Sequence, residues 1–132
     1  MEYKGLGTVV AELAPSKENK NPRNSEGAFL GRKDGSILFV YSRFKGEACD
    51  DWVSADIYAV TSKDGGRSFA DERMLFSCEG EKAQNIMSLS LLEMQNGDIG
   101  LFYLVRHTYT MIQMYVRRSG DGGKTWSDRV LC

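Results

Sequence analysis

Two stretches of this chain are apolar on both of their alternating sides. Across Ser36 to Phe44, Ile37, Phe39 and Tyr41 fall on one side and Leu38 and Val40 on the other; across Asp98 to Arg106, Ile99, Leu101 and Tyr103 oppose Phe102 and Leu104. A period of two with apolar residues on both sides marks a strand covered on both faces. Around these two the pattern predicts further strands at Ala28 to Arg32, Asp56 to Thr61 and near Arg73 to Ser77, then at Ser88 to Met94, Met111 to Arg118 and Asp128 to Cys132. Each half of the chain therefore holds four strands. No intervening stretch has helical apolar spacing, which excludes a parallel sheet with crossover helices.

The turn chemistry repeats with the strands. Asp34-Gly35 and Asn96-Gly97 occupy matching places in the two halves and are strong hairpin signals, expected as type I′ turns with positive φ at both central residues. An octapeptide also recurs: Ser62-Lys63-Asp64-Gly65-Gly66-Arg67-Ser68-Phe69 returns in the second half as Ser119-Gly120-Asp121-Gly122-Gly123-Lys124-Thr125-Trp126. Such a turn needs glycines where the backbone enters positive φ, a short carboxylate to accept the turn's amides, and an aromatic ring to pin it to its sheet. Repetition of a four-stranded unit covered on both faces predicts an all-β fold of antiparallel, four-stranded β-propeller blades. Blade one spans residues 26–77 and blade two 85–132, preceded by an N-terminal strand and loop over 1–25. Within that leader, Thr8 to Leu13 reads as a strand that closes a ring by pairing with a last blade, and 14–25 as a polar loop.

Propellers close with about four to eight blades, and 132 residues hold two. Two blades alone leave apolar sheet faces open at both ends. The chain is then either part of a longer propeller, the reading favoured by its stop at Val130-Leu131-Cys132, or one that assembles with copies of itself, for example three around a threefold axis. A formal charge of −1, from 17 basic and 18 acidic residues, argues against nucleic-acid or polybasic membrane partners. No run is long and apolar enough to span a bilayer, and Met1-Glu2-Tyr3-Lys4 does not open a secretory signal, leaving a cytoplasmic chain or one from a secreted parent. Cys49, Cys78 and Cys132 lack metal-ligand spacing and read as unlinked thiols; neither metal nor cofactor is implied.

The octapeptides match the Asp box, the bacterial neuraminidase repeat, and on them the chain resembles the sialidase superfamily over essentially its whole length, as the first two of six catalytic blades. Ser62, Asp64, Gly66 and Phe69, with Ser119, Asp121, Gly123 and Trp126, then have a structural role. The hairpin turns and both boxes lie on a bottom face. Arg23, Arg43, Asp50, Asp51, Arg106 and His107 lie on the opposite, top face. The resemblance implies that Arg23, just ahead of the first strand, is one of three arginines gripping a sugar carboxylate. It implies that Asp51 is the acid/base and that Arg43 is a second substrate contact. Many sialidases carry Arg-Ile-Pro at the first arginine, where this chain has Arg23-Asn24-Ser25-Glu26. The nucleophilic tyrosine, its glutamate and the remaining arginines are expected in later blades.

These residue types suit an anionic sugar. Guanidinium groups grip a carboxylate through charge-assisted, bidentate bonds, and an aspartate beside the leaving oxygen can protonate it and then deprotonate water. Read from the residues alone, Arg23 and Arg43 are equally well surface cations, and Asp51 beside Asp50 a solvated loop carboxylate. The parent expected from the resemblance is an exo-acting sialidase that removes terminal sialic acid from glycoconjugates, with this chain inactive alone. The alternative is a non-catalytic propeller module that binds glycan or protein, completed by oligomerisation.

Overall fold

The computed structural model describes residues 7–132 other than Ala14 and Lys17; Met1-Glu2-Tyr3-Lys4 and the rest of the first six residues lie outside the described residues. Eight strands follow one another: β1 (Asn24–Gly31), β2 (Ile37–Phe44), β3 (Ala55–Ser62), β4 (Ala70–Phe76), β5 (Asn85–Glu93), β6 (Ile99–Arg106), β7 (Ile112–Ser119) and β8 (Val130–Leu131). They form two antiparallel sheets, each ordered as in the chain, β1-β2-β3-β4 and β5-β6-β7-β8. This is the expected all-β pair of four-stranded blades.

The double-sided strands explain how the sheets stack. Leu38 and Val40 of β2, with Ile57 and Ala59 of β3, join Ile99, Leu101, Tyr103 and Val105 of β6 in one buried core. Burying a large apolar side chain contributes about 1.5–3 kcal/mol, so this layer is the main cohesion between the sheets. The opposite parity of β2, Ile37, Phe39 and Tyr41, faces away from the second sheet. The linker between the sheets is locked by charge: Glu81, 3% exposed, contacts Arg117 at 2.5 Å and Arg129 at 2.7 Å and accepts from the Tyr103 hydroxyl at 3.1 Å.

Several boundaries differ from those the pattern predicts, and bulges account for the largest shifts. β1 and β5 begin at Asn24 and Asn85 instead of Ala28 and Ser88, because pairing continues past an irregularity at Ser25/Gly27 in one and Met87/Ser90 in the other. The bulged residues Glu26 (φ 35°) and Ser88 (φ 56°) both have left-handed backbone and hold equivalent places in the two sheets. The Ser88 amide donates to the Glu26 carboxylate, joining the two bulges. β8 is reduced to Val130–Leu131, and β4 starts at Ala70.

The hairpin turns also differ from expectation. Gly35 (φ 83°) and Gly97 (φ 88°) have positive φ, but Asp34 and Asn96 do not. The Gly35 amide donates to Arg32 O and the Arg32 amide to Ser36 O, a pattern repeated by Gly97, Met94 and Asp98. These are three-residue loops built on a tight turn with glycine in the bulge position, in place of two-residue type I′ turns. Asp34 Oδ1 accepts from the Ser36 amide, and Asn96 Oδ1 from the Asp98 amide, which suits the side chain that precedes the glycine.

Thr8 to Leu13, expected as a strand, makes no strand pairing among the described residues. The repeat nevertheless extends into this region. The Asn21 amide donates to Ser16 O, as the Ala83 amide does to Cys78 O, and Lys20 (φ 50°) and Lys82 (φ 51°) match at the same offset that relates the two bulges. Thr8 to Leu13 therefore corresponds to Ala70 to Leu75 of β4. Without a sheet edge among the described residues, its Val10, Ala11 and Leu13 line an apolar recess with Phe29, Phe39, Val60 and Phe69 on the open side of the first sheet.

Candidate functional site

At the bottom of each sheet the Asp boxes satisfy themselves. Asp64 accepts from the amides of Arg67 and Ser68 and from the hydroxyls of Ser62 and Ser68. Asp121 does the same with Lys124, Thr125 and Ser119. The Ser68 hydroxyl above all holds the Asp64 carboxyl well below the usual range, and the Thr125 hydroxyl does so for Asp121. Gly65, Gly66, Gly122 and Gly123 all have positive φ. Trp126 packs edge-on to Phe76, and Phe69 edge-on to Phe29. The bonds that the carboxylate and hydroxyls of each box make lie within its own turn, which is what a structural role requires.

The top is different. Arg23 lies just before β1, and its Nη2 contacts Asp51 Oδ1 at 2.6 Å from the β2–β3 connection. The guanidinium of Arg23 stacks on Phe44 at 3.9 Å. Arg106, the last residue of β6, donates to the Asp51 carbonyl at 3.0 Å. Asn85, fully buried at the start of β5, fastens this connection from below: its Oδ1 accepts from the Ala55 and Ile86 amides, and its Nδ2 donates to the same Asp51 carbonyl. Arg23, Ser25, Glu26, Phe44, Asp51, Asn85, Met87 and Arg106 enclose a pocket of about 100 Å³. Two guanidinium groups converge there, and among the described residues the Nε of each is buried without an acceptor.

Arg23 and Asp51 are thus together, whereas Arg43 is elsewhere. Phe44 carries the Arg23 guanidinium, so the preceding residue, Arg43, must project from the other face of β2. There Arg43 contacts Glu72 at 3.5 Å and stacks over Tyr58 at 4.8 Å. Parity in the sequence already contained this result, since Arg43 alternates in phase with Phe39 and Tyr41. The same reasoning finds Arg106, which ends β6 as Phe44 ends β2. Asp50 accepts from the Trp52 amide, and His107 pairs with the Tyr115 hydroxyl.

Among the described residues, no tyrosine hydroxyl lines the pocket. Tyr41 and Tyr103 are buried and bonded to Glu72 and Glu81. Burial raises both phenols, Tyr103 to about 12. Cys78 is buried as well, and burial raises its thiol; Cys49 and Cys132 are exposed.

Comparison with known proteins bears on the fold. No family model and no curated protein matches the sequence. Among solved structures the chain is similar to the Hadza microbial sialidase Hz136, with a TM-score of 0.72 at 18% identity, over 86% of this chain and 27% of that one. It is also similar to a protein of unknown function from Dyadobacter fermentans DSM 18053, with a TM-score of 0.66 at 19% identity, over 85% of this chain and 36% of that one. The chain spans well under half the length of either. Its two sheets are propeller blades that match part of a sialidase structure.

Proposed function

We propose that these two blades belong to a sialidase-like glycan-processing propeller and supply one side of its sugar site, with Arg23 gripping the carboxylate of an anionic sugar and Asp51 acting as acid/base on the glycosidic oxygen. The observation that carries this reading is the 2.6 Å pairing of Arg23 with Asp51 at the end of the blades opposite the Asp boxes, in a fold that matches part of a sialidase. Arg23 spends one donor on Asp51 and keeps others for a ligand. Arg43, bound to Glu72 on the far face, is left out of this site, and Arg106 takes its place as the second cation. The absence of a tyrosine hydroxyl from the pocket lining among the described residues favours a second reading for the chain by itself: it binds the sugar without turning it over.

Titration of the chain with the methyl α-glycoside of sialic acid, followed by ligand-observed NMR, tests the assignment. Arg23→Ala should abolish binding, and Asp51→Ala should preserve or tighten it, because it removes a carboxylate that competes for Arg23. Equal affinity in the parent chain and Arg23→Ala would refute the role given to Arg23.

A further inference from the structure

On the face that carries the Asp boxes, opposite the pocket of Arg23 and Asp51, a cleft of about 540 Å³ opens between the β1–β2 turn and the two boxes. Arg32 of that turn, Lys63 of the first box, Arg73 of β4 and Lys124 of the second box all line it. Arg73 is committed: it donates to the Gly123 carbonyl at 3.2 Å and to the Thr61 hydroxyl at 3.2 Å, joining the first sheet to the second box. The other three are not. Arg32 comes no closer than 3.7 Å to Asp34, and Lys63 no closer than 3.9 Å to Asp71. Lys124 makes no ion pair, and none of the three donates a side-chain hydrogen bond, among the described residues. Asp34 and Asp71 are exposed, so water replaces these loose partners when an anion draws them away. The remaining carboxylate of the cleft, Asp121, makes its bonds within its own turn.

The fold does not require these cations. In the second sheet the places of Arg32, Lys63 and Arg73 are held by Met94, Gly120 and Val130. Three of the four positive charges are therefore particular to this cleft, and gathering them costs mutual repulsion. Arg32 is also held in position. A Cβ on Gly122 would stand 2.5 Å from its Nη1 and 3.0 Å from its Nη2, so the guanidinium is seated against the bare backbone of the second box. A guanidinium set by packing loses little freedom when it binds. Cations from three separate turns border one space and carry more donors than the two oxygens of a carboxylate can meet, whereas a tetrahedral group offers three free oxygens and up to two charges. We infer that the cleft binds the phosphate or sulfate group of an anionic ligand, with Arg32 as its bidentate contact and Lys63 and Lys124 as flanking charges. The site is separate from Arg23 and Asp51 and does not depend on the roles proposed for them.

The test titrates the full chain with glucose 6-phosphate, glucose 6-sulfate and glucuronate, which carry different anions at the same end of one sugar, by ligand-observed NMR at neutral pH and constant ionic strength. The esters should bind about ten-fold more tightly than glucuronate, the scale of one charge-assisted hydrogen bond. Arg32→Met installs the residue found at the matching place in the second sheet and should weaken both esters about ten-fold. Lys33→Met removes the same charge one residue away, where Lys33 pairs with Glu93 outside the cleft, and should change affinity by less than about two-fold. Tighter binding of the phosphate ester would identify a phosphorylated ligand and tighter binding of the sulfate ester a sulfated one, and either supports the site. Equal weakening by Arg32→Met and Lys33→Met would show general charge attraction in place of a site and overturn the proposal. So would glucuronate binding as tight as that of the esters, or no saturable binding of either ester. Loss of ester binding in Arg23→Ala would move the anion to the opposite face and overturn it as well.

Discussion

Replacing Asn85 with alanine tests how the top of the blades is held. Asn85, Ala55 and Ile86 are fully buried, and the Asn85 Oδ1 accepts from the Ala55 amide at 3.0 Å and the Ile86 amide at 2.8 Å. Alanine removes that acceptor from both donors where water does not reach. A buried donor left without a partner costs about 1–3 kcal/mol, so the pair predicts a loss of about 2–6 kcal/mol. The Asp51 carbonyl loses the Asn85 Nδ2 but keeps Arg106, so it adds little. For a chain of this size the thermal midpoint should fall by roughly 10 °C, as followed by circular dichroism. Asn96→Ala is the matched control. It deletes an amide side chain whose oxygen also accepts a backbone proton, but on an exposed turn, where water replaces the bond and the loss stays below about 1 kcal/mol. Equal midpoints for the two variants, both within about 2 °C of the parent, would show that burial of these bonds does not set their worth here.

Two further outcomes follow from the same geometry. The Asp64 and Asp121 carboxyls are held below their ordinary value of 3.8, so the stability they contribute is complete above about pH 4 and is lost as pH falls through the lowered values. The gap in thermal midpoint between the parent and Asp64→Ala should therefore persist at neutral pH and close only in strong acid; a gap independent of pH, or loss of sugar binding without loss of stability, would refute the structural role. The open side of the second sheet exposes Leu92, Ile112, Met114 and Val130 at 45–60%, so light scattering should show concentration-dependent self-association that Met114→Lys reduces. A monomer that stays folded at every concentration tested and binds no hydrophobic dye would refute this.

The strands were legible because β2 and β6 are short apolar runs that each follow an Asp-Gly or Asn-Gly turn and recur with the octapeptide, which separates a buried strand from a buried helix. The boxes were legible because their chemistry is local: Asp64 and Asp121 find every partner within the same octapeptide. What escaped the sequence was tertiary or depended on one residue of phase. The bulges at Glu26 and Ser88 lengthen β1 and β5 through polar residues that resemble loop, because their pairing comes from the neighbouring strand and not from apolar pattern. Arg43 and Phe44 differ by one position and so occupy opposite faces, which places one basic residue away from the pocket and brings the aromatic partner of Arg23 to it. Asn85 carries no sequence signal, since its value lies in two buried amides whose positions depend on the fold, one of them in the other sheet.

The paired bulges have a consequence for how such a chain can change. An extra residue resets the alternation of a strand, so the upper end of β1 is uncoupled in phase from the portion that packs below it. Substitutions among Arg23, Asn24 and Ser25 can alter what the top presents without re-aiming Ala28, Phe29 or Leu30. Deleting Glu26 would leave Ser25 opposite Ser42 and Gly27 opposite Tyr41, so both faces would keep their residues and only the kink and its left-handed residue would be lost. β1 and β5 thus each divide at a residue of left-handed backbone, Glu26 in one and Ser88 in the other, into an upper end that borders the pocket and a lower run whose alternation is set by the packing of the sheet.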